Sequence, residues 1–397
     1  MQGNGRAGAA ETSIMTVAAL ETPASGAAAA AQAPLRRIRF APAEPGGFRD
    51  VLNARVAAHL KERGATRFAD ASVYAKGVFY LALGAAAYAA LLILQPHGAL
   101  SLLLAACAGL SALLLALNIG HDAAHRALTG HRGADAIINR LCFALVGVDG
   151  YLWQLRHNGS HHIFPNVNGC DIDIDENPLI RLSPNHPRKT WHRWQHLYAP
   201  FVYMLTLLHS IFWGDPAYLR KTALANMTGI RHAPRDLAWF AASKAIWLTA
   251  NIALPLAVLR FAWWEVLLGY AAVTALMSLV FIALLVGTHF SDTSDFPHPG
   301  ADGMLKTDWA AHQVTTTLDW SPGSRLAIFI TGGANAHAAH HLFPHHSHRH
   351  YRAITPIIRD TAQAFGLAYH ETDFAGLVRA HFRHLKRLGA DGPRAAG

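Results

Sequence analysis

Charge is scarce in this 397-residue chain: Asp, Glu, Lys and Arg together supply 15% of it. A soluble domain draws about a quarter of its residues from those four types, so the surface is not that of an ordinary soluble protein. Cysteine is scarcer still. Cys107, Cys142 and Cys170 stand far apart, which excludes a disulfide framework and a thiolate metal site. Glutamate occurs only seven times. None of the seven falls in a His-Glu-x-x-His or Glu-x-x-His pattern, which excludes a zincin and a soluble carboxylate di-iron bundle. A hydrophobic share of 52% excludes a disordered chain. Net charge is +9, yet no basic patch interleaves with aromatics, so nucleic acid is not the expected partner.

What is present first is length in the apolar runs. Val73 to Leu94 carries one charge, Lys76, and Ala99 to Gly120 carries none. Each is 22 residues long, and about 20 apolar residues span a bilayer as a helix. Gln95-Pro96-His97-Gly98 links them as a tight turn, giving a hairpin. A second hairpin is read from Leu237–Leu259 and Ala262–Thr288. Lys76 and Glu265 lie near helix ends and read as interfacial anchors; Lys244 reads as snorkelling to the surface. Shorter apolar segments at 137–155, 197–213 and 326–334 read as interfacial or re-entrant helices.

The basic residues orient these spans. Residues 1–72 carry nine Lys and Arg, 121–236 twelve and 289–397 ten, whereas the two hairpin links hold only Arg260. The positive-inside rule then places both termini and the central loop in the cytoplasm. The expected fold is an all-α integral membrane protein with four transmembrane helices in two hairpins, interfacial helices and a cytoplasmic His-rich cap. Residues 1–34 read as a disordered tail, 35–72 as an amphipathic segment on the membrane surface, 73–375 as the membrane domain and 376–397 as a basic tail.

Histidine is the residue in excess. There are 26, of which only His97 falls in a hairpin link and none within a predicted span. Eight form three clusters: His121 with His125; His157 with His161 and His162; His337 with His340 and His341. On an α-helix, residues four apart differ by about 40° around the axis, so His121/His125 and His157/His161 each share a face. His162 would point roughly 140° away from His157. Imidazole suits Fe, Zn, Cu and Ni, and eight ligands exceed what one ion holds, so two ions are expected. A bis-His haem would need histidines on facing spans, and a transporter would place ligands at the midplane. A zinc hydrolase would need fewer ligands and an open position.

With these clusters the chain resembles the membrane-bound, His-box fatty acid desaturase superfamily, nearest to bacterial linoleoyl-CoA (delta-6-like) acyl desaturases without a fused cytochrome b5 domain. The resemblance covers roughly residues 48–375. It includes Arg156-His157-Asn158, Asn166, Asp171-Ile172-Asp173-Ile174, Trp309-Ala310-Ala311-His312-Gln313, Thr316-Thr317, Gly332-Gly333-Ala334-Asn335 and His340-His341-Leu342-Phe343-Pro344. His348, His350 and Tyr351 follow in register. It implies that His121, His125, His157, His161, His162, His337, His340 and His341 ligate two Fe2+ ions. It also implies one further histidine after the fourth span: His289 is the candidate and His312 the runner-up. Asp122 and Asn335, beside ligands, are expected to orient rings. His345, His346, His348 and His350 are expected at the surface or behind the ligands, and Asp171, Asp173 and Asp175 in a solvated acidic loop.

The implied reaction is O2-dependent insertion of a cis double bond into a fatty acyl chain linked to CoA, acyl carrier protein or lipid. No side chain oxidises adjacent methylenes, so a metal must activate O2, with two electrons from an external donor of ferredoxin or cytochrome b5 type and its reductase. A related hydroxylase, ketolase or alkane monooxygenase would use similar boxes. A bacterial inner membrane is the implied location. Two features depart from the front-end members: His337 stands where they have Gln, and Ala339 where they have Glu. Glu44-Pro45-Gly46-Gly47 echoes the haem motif of cytochrome b5 with Glu in place of the ligand and is read as a loop.

Overall fold

The computed structural model describes residues 37–175 and 179–390. The tail expected over residues 1–34, the side chain of Asp175 and the last seven residues lie outside them. The chain opens with helix α1 (Phe48–Glu62), preceded by the Glu44–Gly47 turn, in which Gly47 N donates to Glu44 O. Helix α2 (Ala71–Leu94) begins at Asp70, whose carboxylate accepts from the backbone N–H groups of Ser72 and Val73 and so satisfies donors that have no partner in the first turn. Helix α3 (Ala99–Ala124) returns beside α2 after a reversal that puts Gln95 and Gly98 at positive φ.

Two bent pairs follow. Helices α4 (Arg132–Leu145) and α5 (Gly150–His161) meet at 108°, and α6 (Thr190–Tyr203) and α7 (Thr206–Arg220) at 72°. They contain two of the three segments expected to be interfacial or re-entrant, 137–155 and 197–213. A two-residue hairpin, β1 (Ala223–Leu224) with β2 (Met227–Thr228), leads to α8 (Pro234–Val258) and α9 (Trp263–His289). Beyond α9 come α10 (Trp309–Thr315), β3 (Asp319–Trp320), α11 (Arg325–Thr331), α12 (His337–Leu342), α13 (Tyr351–Ala364), β4 (Glu371–Thr372) and α14 (Phe374–Ala390). The fold among the described residues is helical apart from the hairpin and the short parallel β3–β4 pair.

Helices α2, α3, α8 and α9 are each long and apolar enough to cross a membrane. Their outward faces carry exposed Val78, Phe79, Ile93, Leu103, Trp263 and Leu268. Such a belt would be a liability in water and is the surface that hydrocarbon requires. The chain is a membrane protein. Two spans overrun their expected ends: α3 carries His121 on its last turn and α9 ends at His289. A helix satisfies its own backbone on either side of the lipid boundary, so nothing forces it to stop there.

Several expectations are corrected. Helix α1 buries Phe48, Leu52 and Val56 against α10, α12 and α13 rather than against a membrane surface. Residues 376–390 are no tail: α14 buries Leu377, Ala380, Leu385 and Leu388 against α6 and α9. Its apolar stripe is amphipathic in period but broken by buried His381 and His384, which hid it in a basic segment. Lys244 does not snorkel. Its Nζ donates to Asp215 Oδ2 at 2.6 Å and Gly147 O at 2.7 Å, joining α8 to α7 and to the α4–α5 bend. Lys76 is no interfacial anchor either: it is buried, with Nζ 2.6 Å from His348 Nε2.

Candidate metal centre

The histidine clusters meet where α3, α5, α9 and α12 end together. Nine imidazoles converge there, the eight of the three clusters and His289. His121, His125, His157 and His340 bring their ligand nitrogens within 4.8 Å of one another, and so do His161, His289, His337 and His341. His162 forms a third group with His340 and His341, between the other two. All are buried except the partly buried His157.

The local backbone explains how one short motif serves both groups. His157 to His161 form a π-helical turn, and His162 N donates to His157 O at 2.9 Å, five residues back. In that geometry position i+5 returns beside i. The expectation for His162 is therefore reversed: its Nε2 lies 2.9 Å from His157 Nε2, while His161 turns to the second group. A second π turn, Ala116–Gly120, lies immediately before His121. Helix α12 straddles the two groups, with His340 in one and His337 and His341 in the other.

The ring nitrogens suit a divalent ion. An imidazole nitrogen sits about 2.1 Å from such an ion, so two at right angles are about 3 Å apart. Facing Nε2 atoms are 2.7 Å apart for His337 and His289, 3.0 Å for His289 and His341, and 3.3 Å for His121 and His157. His125 Nε2, His162 Nδ1 and His340 Nδ1 are buried without a hydrogen-bond partner. Orphaned polar atoms at such depth cost about 1–3 kcal/mol each unless something binds them. Burial, reinforced by neighbouring imidazoles, keeps His125, His162, His340 and His341 deprotonated well below the usual range and pushes His337 down to about 3. Neutral imidazole is the form that binds metal. Burial acts the same way on His161, but the carboxylates of Asp171 and Asp173 outweigh it and lift the ring to about 9. The field that attracts a proton there serves a cation equally.

The residues behind the rings differ in part from those expected. Asp171 is buried, not solvated, and accepts from His161 Nδ1 at 3.2 Å. Gln313 Oε1 accepts from His341 Nδ1 at 2.9 Å. Asp122 bonds Ser347 and His348 instead of a ring of the nine, and Asn335 bonds Thr331, Trp320 O and Ser321 O. His312 stands apart: its Nε2 donates to Pro165 O at 2.9 Å. His345 Nδ1 reaches His125 O, behind the first group. Trp153 stacks on His157 with centroids 4.2 Å apart, a contact that no spacing in the sequence signals.

The family model for fatty acid desaturases matches residues 95–373, a stretch that holds all nine histidines. The chain is 28% identical over 355 residues to an sn-1 linoleoyl-lipid 6-desaturase of Synechocystis, covering 89% of this chain and 98% of that one. It is 29% identical over 345 residues to the enzyme of the same name from Arthrospira platensis, covering 86% and 92%. An acyl-lipid (8-3)-desaturase of Physcomitrium patens is 30% identical over 355 residues, 89% of this chain and 74% of that one. The likeness runs through the spans as well as the histidine clusters, and the chain belongs to the fatty acid desaturase family, an oxidoreductase that desaturates fatty acyl chains.

Proposed function

We propose that the chain is an acyl-lipid desaturase working through two iron ions held by His121, His125, His157, His161, His162, His289, His337, His340 and His341. The observation that carries this reading is the convergence of nine imidazoles, eight of them buried, into ligand-sized groups, with three ring nitrogens left without a hydrogen-bond partner. His289 is the ninth ligand and His312 is not, because His289 lies in a ligand-sized group of ring nitrogens and His312 in none. Once loaded, the iron pair supplies O2 activation, for which the electrons come from a separate ferredoxin or cytochrome b5-type protein.

The chain's own residues do the rest. Burial of the rings excludes bulk water, which protects a reactive site from side reactions. Phe143 packs on Trp153 and Trp153 on His157, forming an apolar wall beside the first group. Within the spans lies an apolar cavity of about 610 Å3 lined by Gly84, Leu115, Val146, Trp247 and Met277 among others. It gives room for the methyl end of an acyl chain, so that chain position is fixed by shape and not by polar contacts. The distribution of Lys and Arg supports a cytoplasmic location for the histidine end and for both termini, in a bacterial inner membrane. The names of the relatives support a lipid-linked substrate over acyl-CoA.

Expression in a host of defined lipid composition, with double-bond mapping by mass spectrometry, tests the reading. The wild type should give new double bonds in lipid-linked chains and about two Fe per chain. His161→Ala should insert in the membrane normally, lose iron and make no product; an active His161→Ala enzyme would refute the ligand set.

A further inference from the structure

We propose that the two histidine groups are unequal metal sites: the His161/His289/His337/His341 group binds its ion tightly and first, and the His121/His125/His157/His340 group binds an exchangeable second ion. This rests on the dimetal reading above. The distinction lies in what stands behind each ring. In the tight group every ring is held at Nδ1 by a fixed acceptor. His161 donates to Asp171 Oδ1 at 3.2 Å, His289 to Thr316 O at 3.0 Å, His337 to Ala334 O at 2.9 Å and His341 to Gln313 Oε1 at 2.9 Å. Each bond fixes the tautomer, aims Nε2 at the ion and raises its basicity.

The acceptors are themselves anchored. Asp171 also takes the backbone N–H groups of Asn166 at 2.8 Å and Asp173 at 3.0 Å. Asn166 Nδ2 in turn donates to His289 O at 3.0 Å and Asp295 O at 2.9 Å. One buried asparagine thus ties the loop behind His161 to the end of the helix that carries His289. The group also has a buried carboxylate to offset the charge of a divalent ion, which is the larger part of the cost of placing that ion away from water.

The other group lacks the fixed acceptors, and the buried carboxylate beside it, Asp122, bonds none of its rings. Among the described residues, no carbonyl, carboxylate or amide bonds a ring nitrogen of His121, His125, His157 or His340. Their rings meet other histidines and aromatic neighbours. Asp122, the one carboxylate adjacent in sequence, is turned away to Ser347 and His348. Rings held only by packing must be ordered by the ion itself, and that ordering reduces affinity. Asp171 and Gln313 are therefore positioning residues for one site and not the other.

The test is an iron count at equilibrium. Purified full-length protein in detergent is dialysed against a graded series of iron buffered by a chelator, without O2, and iron per chain is measured. The expected curve falls from two to one and then from one to zero, with the plateau at one spanning about a 10–100-fold range of free iron. His121→Ala should hold one iron with the midpoint of the lower step. Asp171→Asn should move the lower step toward the upper by about 10–100-fold, and Gln313→Met should move it the same way, which covers the case of one variant failing to fold. A single fall from two to zero in the wild type overturns the inequality and leaves the dimetal reading standing. A lower step unmoved in whichever variants fold overturns the roles of Asp171 and Gln313. A wild type that binds no iron at any free concentration overturns both the inequality and the dimetal reading.

Discussion

Single residues carry much of the meaning here because most of them sit in low dielectric. Lys244 shows the point. Its ammonium is paired with Asp215, whose carboxylate also accepts from Asp149 N at 2.7 Å, so one ion pair fixes α7, α8 and the bend between α4 and α5. Removing one partner leaves a buried charge without compensation, which costs about 3–5 kcal/mol. Lys244→Met should therefore lower the thermal unfolding midpoint in detergent sharply, and the double variant Lys244→Met/Asp215→Leu should recover most of it. Equal loss in the single and double variants would show that the pair is not what holds the bend. The lysine was visible in the sequence as an oddity within a span. Its partner was not, since Asp215 lies 29 residues away in a segment with no pattern pointing to it.

At the scale of the element, the third histidine cluster depends on the turn that delivers it. Helix α11 ends at Gly332, whose φ of +62° closes the helix in the left-handed region. A Cβ at that position would stand 2.5 Å from Leu117 O, a backbone atom of the π turn before His121, and it cannot give way. The same contact brings the first and third clusters together. Gly332→Ala should cost at least the 1–2 kcal/mol of the left-handed conformation and lower iron content along with stability. A variant with wild-type midpoint and full iron would sink this account. Hydropathy gave the four long apolar helices well. Periodicity failed where the turn was not α-helical: the His157–His162 motif was assigned a period of 3.6, and the π turn moved His162 to the side assigned to His161.

For the whole molecule, the docking of α14 is the feature that the sequence concealed. His381 and His384 are buried in that contact. His381 Nδ1 donates to Phe290 O at 2.7 Å, one residue after His289, while its Nε2 accepts from Tyr203 at 2.8 Å; His384 Nε2 donates to Leu182 O. Both rings serve as neutral groups, and burial lowers them to about 4 and about 3 respectively. In the unfolded chain they titrate near 6.5. The folded form then binds fewer protons than the unfolded one between those values, so stability is full above pH 6.5, falls as pH drops toward 4 and levels off near 3. The unfolding midpoint in detergent should be clearly lower at pH 5 than at pH 7.5, and His381→Gln/His384→Gln should lessen that dependence, the buried rings of the metal centre supplying the rest. An unchanged slope in the double variant would place the acid sensitivity elsewhere.

The sequence by itself determined the class of the protein: four helices long and apolar enough to span a membrane, a concentration of imidazole at their ends and beyond, and the family string that joins the two. Those features are local, since hydropathy, charge bias and short spacings are properties of contiguous residues. The tertiary structure alone decided which histidines face which, that His289 joins them while His312 does not, and that Asp171 and Gln313 stand behind one group only. Each of those outcomes depends on the angle at which separate elements end against one another, and a single π turn is enough to redistribute the ligands.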